Sequence, residues 1–203
     1  MPVRKAEIPR RVVKAALELA AKQGWRDTTL ADIAADAKVS LAELHGTFRS
    51  KAAILEAFVD QIDEAVLAKE DPDLAAQPAR DRVFDVMMRR FEALRPYKEG
   101  VRAIVRDTSF DPVAVACTVP SVLRSMDWML EAAGIGTTGV SGLLRAKGLA
   151  AIYGSTLQVW LNDDTEDMSR TMAALDRRLR RAENIASVLW PGAGGRRTGE
   201  AVA

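Results

Sequence analysis

Apolar residues recur along most of this chain at intervals of three and four, the spacing of helices that bury one face. No stretch alternates with a two-residue period, so helices are expected throughout. The first runs from about Ile8 to Gln23, with Ile8, Val12, Ala15, Ala16 and Leu19 on one face. Gly24 stands where a glycine ends a helix. Thr28 and Thr29 offer a cap for a short second helix carrying Leu30, Ile33, Ala34 and Ala37. Val39 is a turn residue, and Ser40-Leu41-Ala42-Glu43 fits the capping box S-x-x-E, opening a third short helix that buries Leu44 and Phe48. Ser50 caps a long fourth helix striped by Ile54, Leu55, Phe58, Val59, Ile62 and Val66.

Glu70-Asp71-Pro72-Asp73 interrupts this pattern, because proline neither continues a helix nor lets its predecessor stay helical. A border is expected between Ala68 and Pro78. Phe84, Met87, Met88, Phe91 and Leu94 mark a fifth helix, and Pro96-Tyr97 turns the chain into a shorter sixth ending near Thr108. From Pro112 to Ala133 the chain is apolar nearly all round, which predicts a buried helix kinked or split at Pro120. Two closing helices are expected at about Ser141–Leu161 and Thr165–Leu189. The fold class is all-α. Residues 1–68 form a head whose connecting helix is 50–68, residues 69–190 a body, and residues 191–203 a Gly- and Arg-rich tail that frays.

Composition narrows the function. An apolar fraction of 48% in 203 residues builds a real core. The net charge of +1 does not by itself suggest a nucleic-acid binder, but its distribution changes the picture. Residues 1–51 hold ten Lys/Arg against six Asp/Glu, and the remainder holds 19 against 22. A basic head thus sits on a slightly acidic body. Cys117 is the only cysteine, so neither a disulfide framework nor a thiolate zinc site is expected. The start lacks the apolar stretch of a signal peptide, and no charge-free apolar run reaches the roughly 18 residues of a membrane span. A cytoplasmic protein is the expectation.

Three patterns are set aside. Gly134-Ile135-Gly136-Thr137-Thr138-Gly139 matches G-x-G-x-x-G but follows a helix rather than a strand, so it is read as a loop, not a dinucleotide site. Asp163, Asp164, Glu166 and Asp167 sit at a helix start, where carboxylates suit the macrodipole, and are not read as a metal cluster. Arg177, Arg178, Arg180 and Arg181 lie near its far end as a solvated face, with contact to anionic membrane the alternative. With one histidine and no nucleophile–base constellation, neither catalysis nor a cofactor is expected.

Two short helices joined by a tight turn behind a longer support are what major-groove readers use. The run RRVVKAALELAAKQGWRDTTLADIAADAKVSLAELHGTFRSKAAILEAF from Arg11 to Phe58 resembles the TetR family of helix-turn-helix regulators. The resemblance lies in Ala16-Leu17-Glu18-Leu19, Gly24 before an aromatic, Thr28-Thr29, Asp32-Ile33-Ala34, Val39-Ser40, Leu44, Phe48 and Ser50-Lys51. It implies a TetR-type fold and an operator of double-stranded DNA. Thr28, Thr29, Ser40 and Lys51 would position the head on phosphates, with Leu41, Ala42, Glu43, His45 and Thr47 along the groove. Ala42 would meet a thymine methyl and Glu43 accept from cytosine N4, or Glu43 serves only as the capping partner of Ser40. The chain departs from the family at Leu41 and Ala42, where lysine and glycine are usual, and at His45 and Thr47, where tyrosines are usual. Those changes and Glu43 move local charge away from what phosphates favour.

Further on, LRSMDWMLEAAG from Leu123, LAAIYGSTLQVWLND from Leu149 and Leu175-Asp176-Arg177-Arg178-Leu179 resemble the coenzyme Q-biosynthesis accessory family. That family is TetR-like in fold and binds isoprenoid lipids, which implies a long apolar ligand and a quinone-biosynthesis hydroxylase as partner. Independently, Met87, Phe91, Phe110, Met126, Trp128, Met129, Tyr153 and Trp160 are large and lie on helices that must pack together. They are expected to line a pocket for an apolar effector with one hydroxyl or carbonyl, or else simply fill the core. Arg102 and Arg106 are anion anchors or surface charges. Leu157, Met168, Met172, Leu175, Leu179 and Ala182 are expected to form a homodimer interface as a four-helix bundle.

Overall fold

Short polar residues cap the second, third and fourth helices, as the pattern predicts. The computed structural model describes residues 7–69, 74–109 and 112–189. The described elements are all helical: α1 Ile8–Gln23, α2 Leu30–Asp36, α3 Leu41–Thr47, α4 Lys51–Leu67, α5 Ala79–Leu94, α6 Lys98–Thr108, α7 Pro112–Ala132, α8 Gly139–Leu161 and α9 Ser169–Leu189. Pro9 occupies the first turn of α1, where its missing N–H costs nothing. Thr29, Ser40 and Ser50 cap α2, α3 and α4 by accepting a backbone N–H from Asp32, Glu43 and Ala53. No helix among the described residues is long and apolar enough to cross a membrane.

The head comprises α1, α2, α3 and the start of α4, closed over Ile33, Leu44, Phe48 and Trp25. Its closest attachment to the body is α1 on α6. A Cβ at Gly100 would stand 2.6 Å from the Leu17 carbonyl oxygen, so only glycine permits this approach. A second tie lies beside it, where the Asp107 carboxylate accepts the Arg26 backbone N–H at 3.1 Å. That bond and the Arg106 side chain hold Asp107 below the usual carboxylate range. In the body α5 packs against α4, α7 and α9, and α8 lies between α7 and α9.

The structure departs from expectation in three places. α7 is one helix, not split at Pro120. Nor is it buried all round: Met126, Met129, Leu130 and Ala133 turn inward, while Val119, Arg124, Trp128 and Glu131 face out. α9 begins at Ser169 rather than Thr165 because Asp163 organises the preceding loop. Its carboxylate accepts from the Thr165 hydroxyl at 2.6 Å, the Thr171 backbone at 2.8 Å and the Thr171 hydroxyl at 2.7 Å. Lys98 Nζ meets its backbone carbonyl at 2.6 Å.

Burial works against the Asp163 charge, but the bonds from Thr165 and Thr171 outweigh it and lower its pKa to about 2. A depressed folded-state pKa means stability present above the unfolded value near 3.8 and lost as pH falls towards 2. Asp163→Asn is therefore expected to be less stable than the wild type above pH 4, with the gap closing as pH approaches 2 in urea denaturation.

Candidate nucleic-acid interface and body core

The two short helices open with the same device. Thr29 Oγ accepts the Asp32 N–H at 3.1 Å while Asp32 Oδ2 accepts the Thr29 N–H at 2.9 Å. Ser40 Oγ accepts the Glu43 N–H at 3.2 Å and Glu43 Oε2 accepts the Ser40 N–H at 2.8 Å. Both carboxylates also take the hydroxyl proton of their partner, and these bonds hold both below their ordinary pKa. Glu43 therefore stays charged and its Oε2 is engaged by Ser40. The Thr47 hydroxyl donates to the Glu43 carbonyl at 2.9 Å. Leu41, which is 55% exposed, and Ala42 and His45 lie open on the outer face of α3, whose only buried side chain is Leu44.

Two residues expected at phosphates are used otherwise. Thr28 is only 1% exposed, and its hydroxyl donates to the Gly24 carbonyl at 2.7 Å; it shapes the turn after α1 and faces away from solvent. Lys51 sends its ammonium inward to the carbonyls of Trp25 at 2.5 Å and Thr28 at 2.6 Å, 4.3 Å from the Trp25 ring centre. Burial lowers its pKa, opposed by Asp107 and Asp27. Two of its three N–H donors are thus committed to holding α4 on the α1–α2 turn.

Lys38, absent from the expected contacts, stands between the two short helices. Its N–H reaches the Ala35 carbonyl at 3.1 Å and the Val39 N–H reaches Ala34 at 3.0 Å, the paired bonds of a Schellman ending. The motif demands a left-handed residue, and Lys38 adopts φ 54° where glycine is usual. The only sequence signal was a four-residue connection between capped helices that contains no glycine. An exposed cation is kept there at a conformational cost. Lys38→Gly is expected to raise stability by about 0.5–1 kcal/mol in chemical denaturation; a loss would mean the turn is unstrained.

In the body, Met87, Phe91, Met126, Met129, Tyr153 and Trp160 are all buried. Phe91 lies 5.8 Å from the Tyr153 ring and 5.9 Å from that of Trp160. Trp128 does not join them: it is 53% exposed, on the outward stripe of α7 with Arg124 and Glu131. Phe110 lies outside the described residues. A separate open cleft of about 560 Å³ runs between α1 and α4, lined by Arg10, Val13, Lys14, Gln61, Glu64, Ala65, Ala68 and Tyr97. Arg102 pairs with Glu99 and the Leu161 carbonyl, and Arg106 with Asp107.

Sequence reasoning passed over two charged residues that meet among these aromatics. Asp63 of α4 and Arg90 of α5 form an ion pair through Arg90 Nη1, and the Ser125 hydroxyl of α7 donates to the same Asp63 oxygen at 2.7 Å. The guanidinium lies 5.1 Å from the Tyr153 ring centre. Burial opposes its charge, yet Tyr153 and Asp63 hold its pKa above the ordinary value. A lone acid among Phe58, Ile62 and Val66 and a lone base among Met87, Phe91 and Leu94 were the available signal.

The expected dimer stripe also turns inward. Met168, Leu175 and Leu179 are buried within their own chain, Leu175 completely, because α9 packs them on α8 and α5. Leu157 and Met172 are half-buried and Ala182 is exposed. On α8, Val140, Leu144, Lys147, Ala151, Gly154 and Gln158 are all exposed at alternating spacings of four and three.

Residues 12–58 match the family described as bacterial regulatory proteins, tetR family. The chain aligns with solved regulators along nearly their whole length. A TetR transcriptional regulator from Nitrosomonas europaea ATCC 19718 is 28% identical, with 86% of this chain and 97% of that one covered, at a TM-score of 0.69. The fold is of the TetR type. A TetR transcriptional regulator from Rhodococcus sp. RHA1 is 25% identical over 87% of this chain and 98% of its own, at a TM-score of 0.61. The flavonoid-responsive regulator FrrA shares the TetR-type fold at 21% identity and a TM-score of 0.51, covering 93% of this chain and 100% of its own. Residues 115–186 match the COQ9 family. No curated protein matches this chain.

Proposed function

We propose that this protein is a cytoplasmic, dimeric DNA-binding regulator, a repressor whose operator affinity is set by an apolar small molecule held in the body. The observation that carries the reading is the pair of capped seven-residue helices, α2 and α3, seated on α1 with Leu41, Ala42 and His45 open on the second. Ala42 and Leu41 suit thymine methyls, His45 a polar base edge, and Lys38 and Thr29 the flanking phosphates. Glu43 serves the capping box and carries no base contact. The ligand reading draws on the buried aromatic group of α5 and α8, which packs against the helices that carry the head. Occupancy there would change the spacing of two heads and so the operator affinity.

The similarity of residues 115–186 to COQ9 favours a second reading, a lipid-binding accessory protein of quinone biosynthesis whose head no longer reads DNA. Fluorescence anisotropy with DNA from upstream of its own gene, over a salt series, separates the two. A regulator binds tightly, with a steep negative salt slope, and loses affinity for scrambled DNA. In that case Lys38→Gly lowers the slope by about one, and Glu43→Gln raises affinity for all sequences alike. Weak binding that ignores sequence favours the accessory protein.

For the dimer, the outward seam of α8 offers the surface, with Ala151 and Gly154 small enough for helices to approach closely. Ala151→Glu is expected to give a folded monomer by sedimentation velocity, while Ala182→Glu on α9 leaves the dimer intact. The opposite pattern would move the interface to α9.

A further inference from the structure

A guanidinium has five N–H donors, and a buried one must find acceptors for them. Arg90 is 2% exposed, and its Nε finds no acceptor among the described residues. Arg89 Nε shares this condition, but that side chain reaches the surface and its other nitrogens meet the Lys69 carbonyl and Asp85. Arg90 has no such outlet. Asp63 engages Nη1, Ser125 donates to Asp63 and not to Arg90, and Tyr153, its ring centre 5.1 Å from the guanidinium, is a second hydrogen-bond partner that leaves Nε unmet. What this centre lacks is one hydrogen-bond acceptor at Nε, next to Tyr153, whose ring packs on Phe91 and through it on Trp160.

We infer that Arg90 Nε is the polar anchor of the body's ligand site, and that the ligand is a neutral, largely apolar molecule presenting a carbonyl oxygen to it. The inference rests on the reading of the body as ligand-binding and names the chemistry of that ligand. Neutrality follows from Asp63, which already balances the guanidinium; a carboxylate would leave a second, unmatched negative charge in the core. The flat apolar remainder of the ligand packs on the three rings. Asp63 lies on α4, the helix that begins in the head, so a ligand drawing on Arg90 acts on the residue that holds α4 in the body.

The test uses the full-length protein and a matched pair of probes, butyrophenone and n-butylbenzene, in equilibrium dialysis. Hydrophobic burial alone favours the hydrocarbon, so a preference for the ketone reports a hydrogen bond. The wild type is expected to bind the ketone at least about tenfold more tightly. Arg90→Lys keeps the charge facing Asp63 and removes the Nε donor; it is expected to lose that preference while holding n-butylbenzene as before. The double variant Asp63→Leu/Arg90→Met removes both charges together, avoiding the unpaired buried ion of a single change, and should behave alike. Equal affinities in the wild type, or a preference surviving in both variants, overturns the inference and leaves the ligand-binding body standing. Failure of both probes to bind the wild type overturns the ligand reading itself and the inference with it.

Discussion

The position of the head depends on how closely α1 can lie on α6, and that distance is set by the missing side chain of Gly100 against the Leu17 carbonyl. Because backbone meets helix directly, no rotamer change can absorb a shift between the two. About two turns further along α6, the Asp107 carboxylate accepts the Arg26 N–H. Lys51 then ties the first residue of α4 to the Trp25 and Thr28 carbonyls, so α1, α4 and α6 meet around one loop. The head is thus fixed to α6 by backbone contact, and α4 joins head to body a second time through its buried Asp63.

The helix starts were legible because capping chemistry is local: a hydroxyl followed three residues later by an acid admits few other meanings. Thr28-Thr29 shows where that stops. Both are capping residues, and only the phase of α2 selects Thr29 and sends Thr28 inward to Gly24. Trp128 was misplaced for a related reason, since α7 is apolar on several sides and composition does not say which side meets α5 and α4. On α9 the stripe was real but its partner was not readable; an apolar face packs equally well on its own chain or on another. The outward seam of α8 was obscured because its residues are small or polar.

Tertiary pairing was the information most absent from the linear pattern. Asp63 and Arg90 are 27 positions apart, and each interrupts an apolar stripe that only looks imperfect in isolation. Seen together they are one buried ion pair, strongly costly to halve and nearly neutral to remove whole. The same is true of Lys51, whose family position suggests a phosphate contact while its surroundings in this chain make it a strut.

The two capping boxes also bear on which positions of this head are free to vary over evolutionary time. Glu43 and Ser40 are bound to each other by the folding of α3, as Asp32 and Thr29 are by that of α2. Substitution at those four positions exchanges helix stability for any new contact. Leu41, Ala42 and His45 hold no such structural duty in the capping boxes, so under the proposed DNA-binding reading drift to new operators would be channelled through these three sites. Each of the three can vary one mutation at a time while the scaffold beneath stays folded.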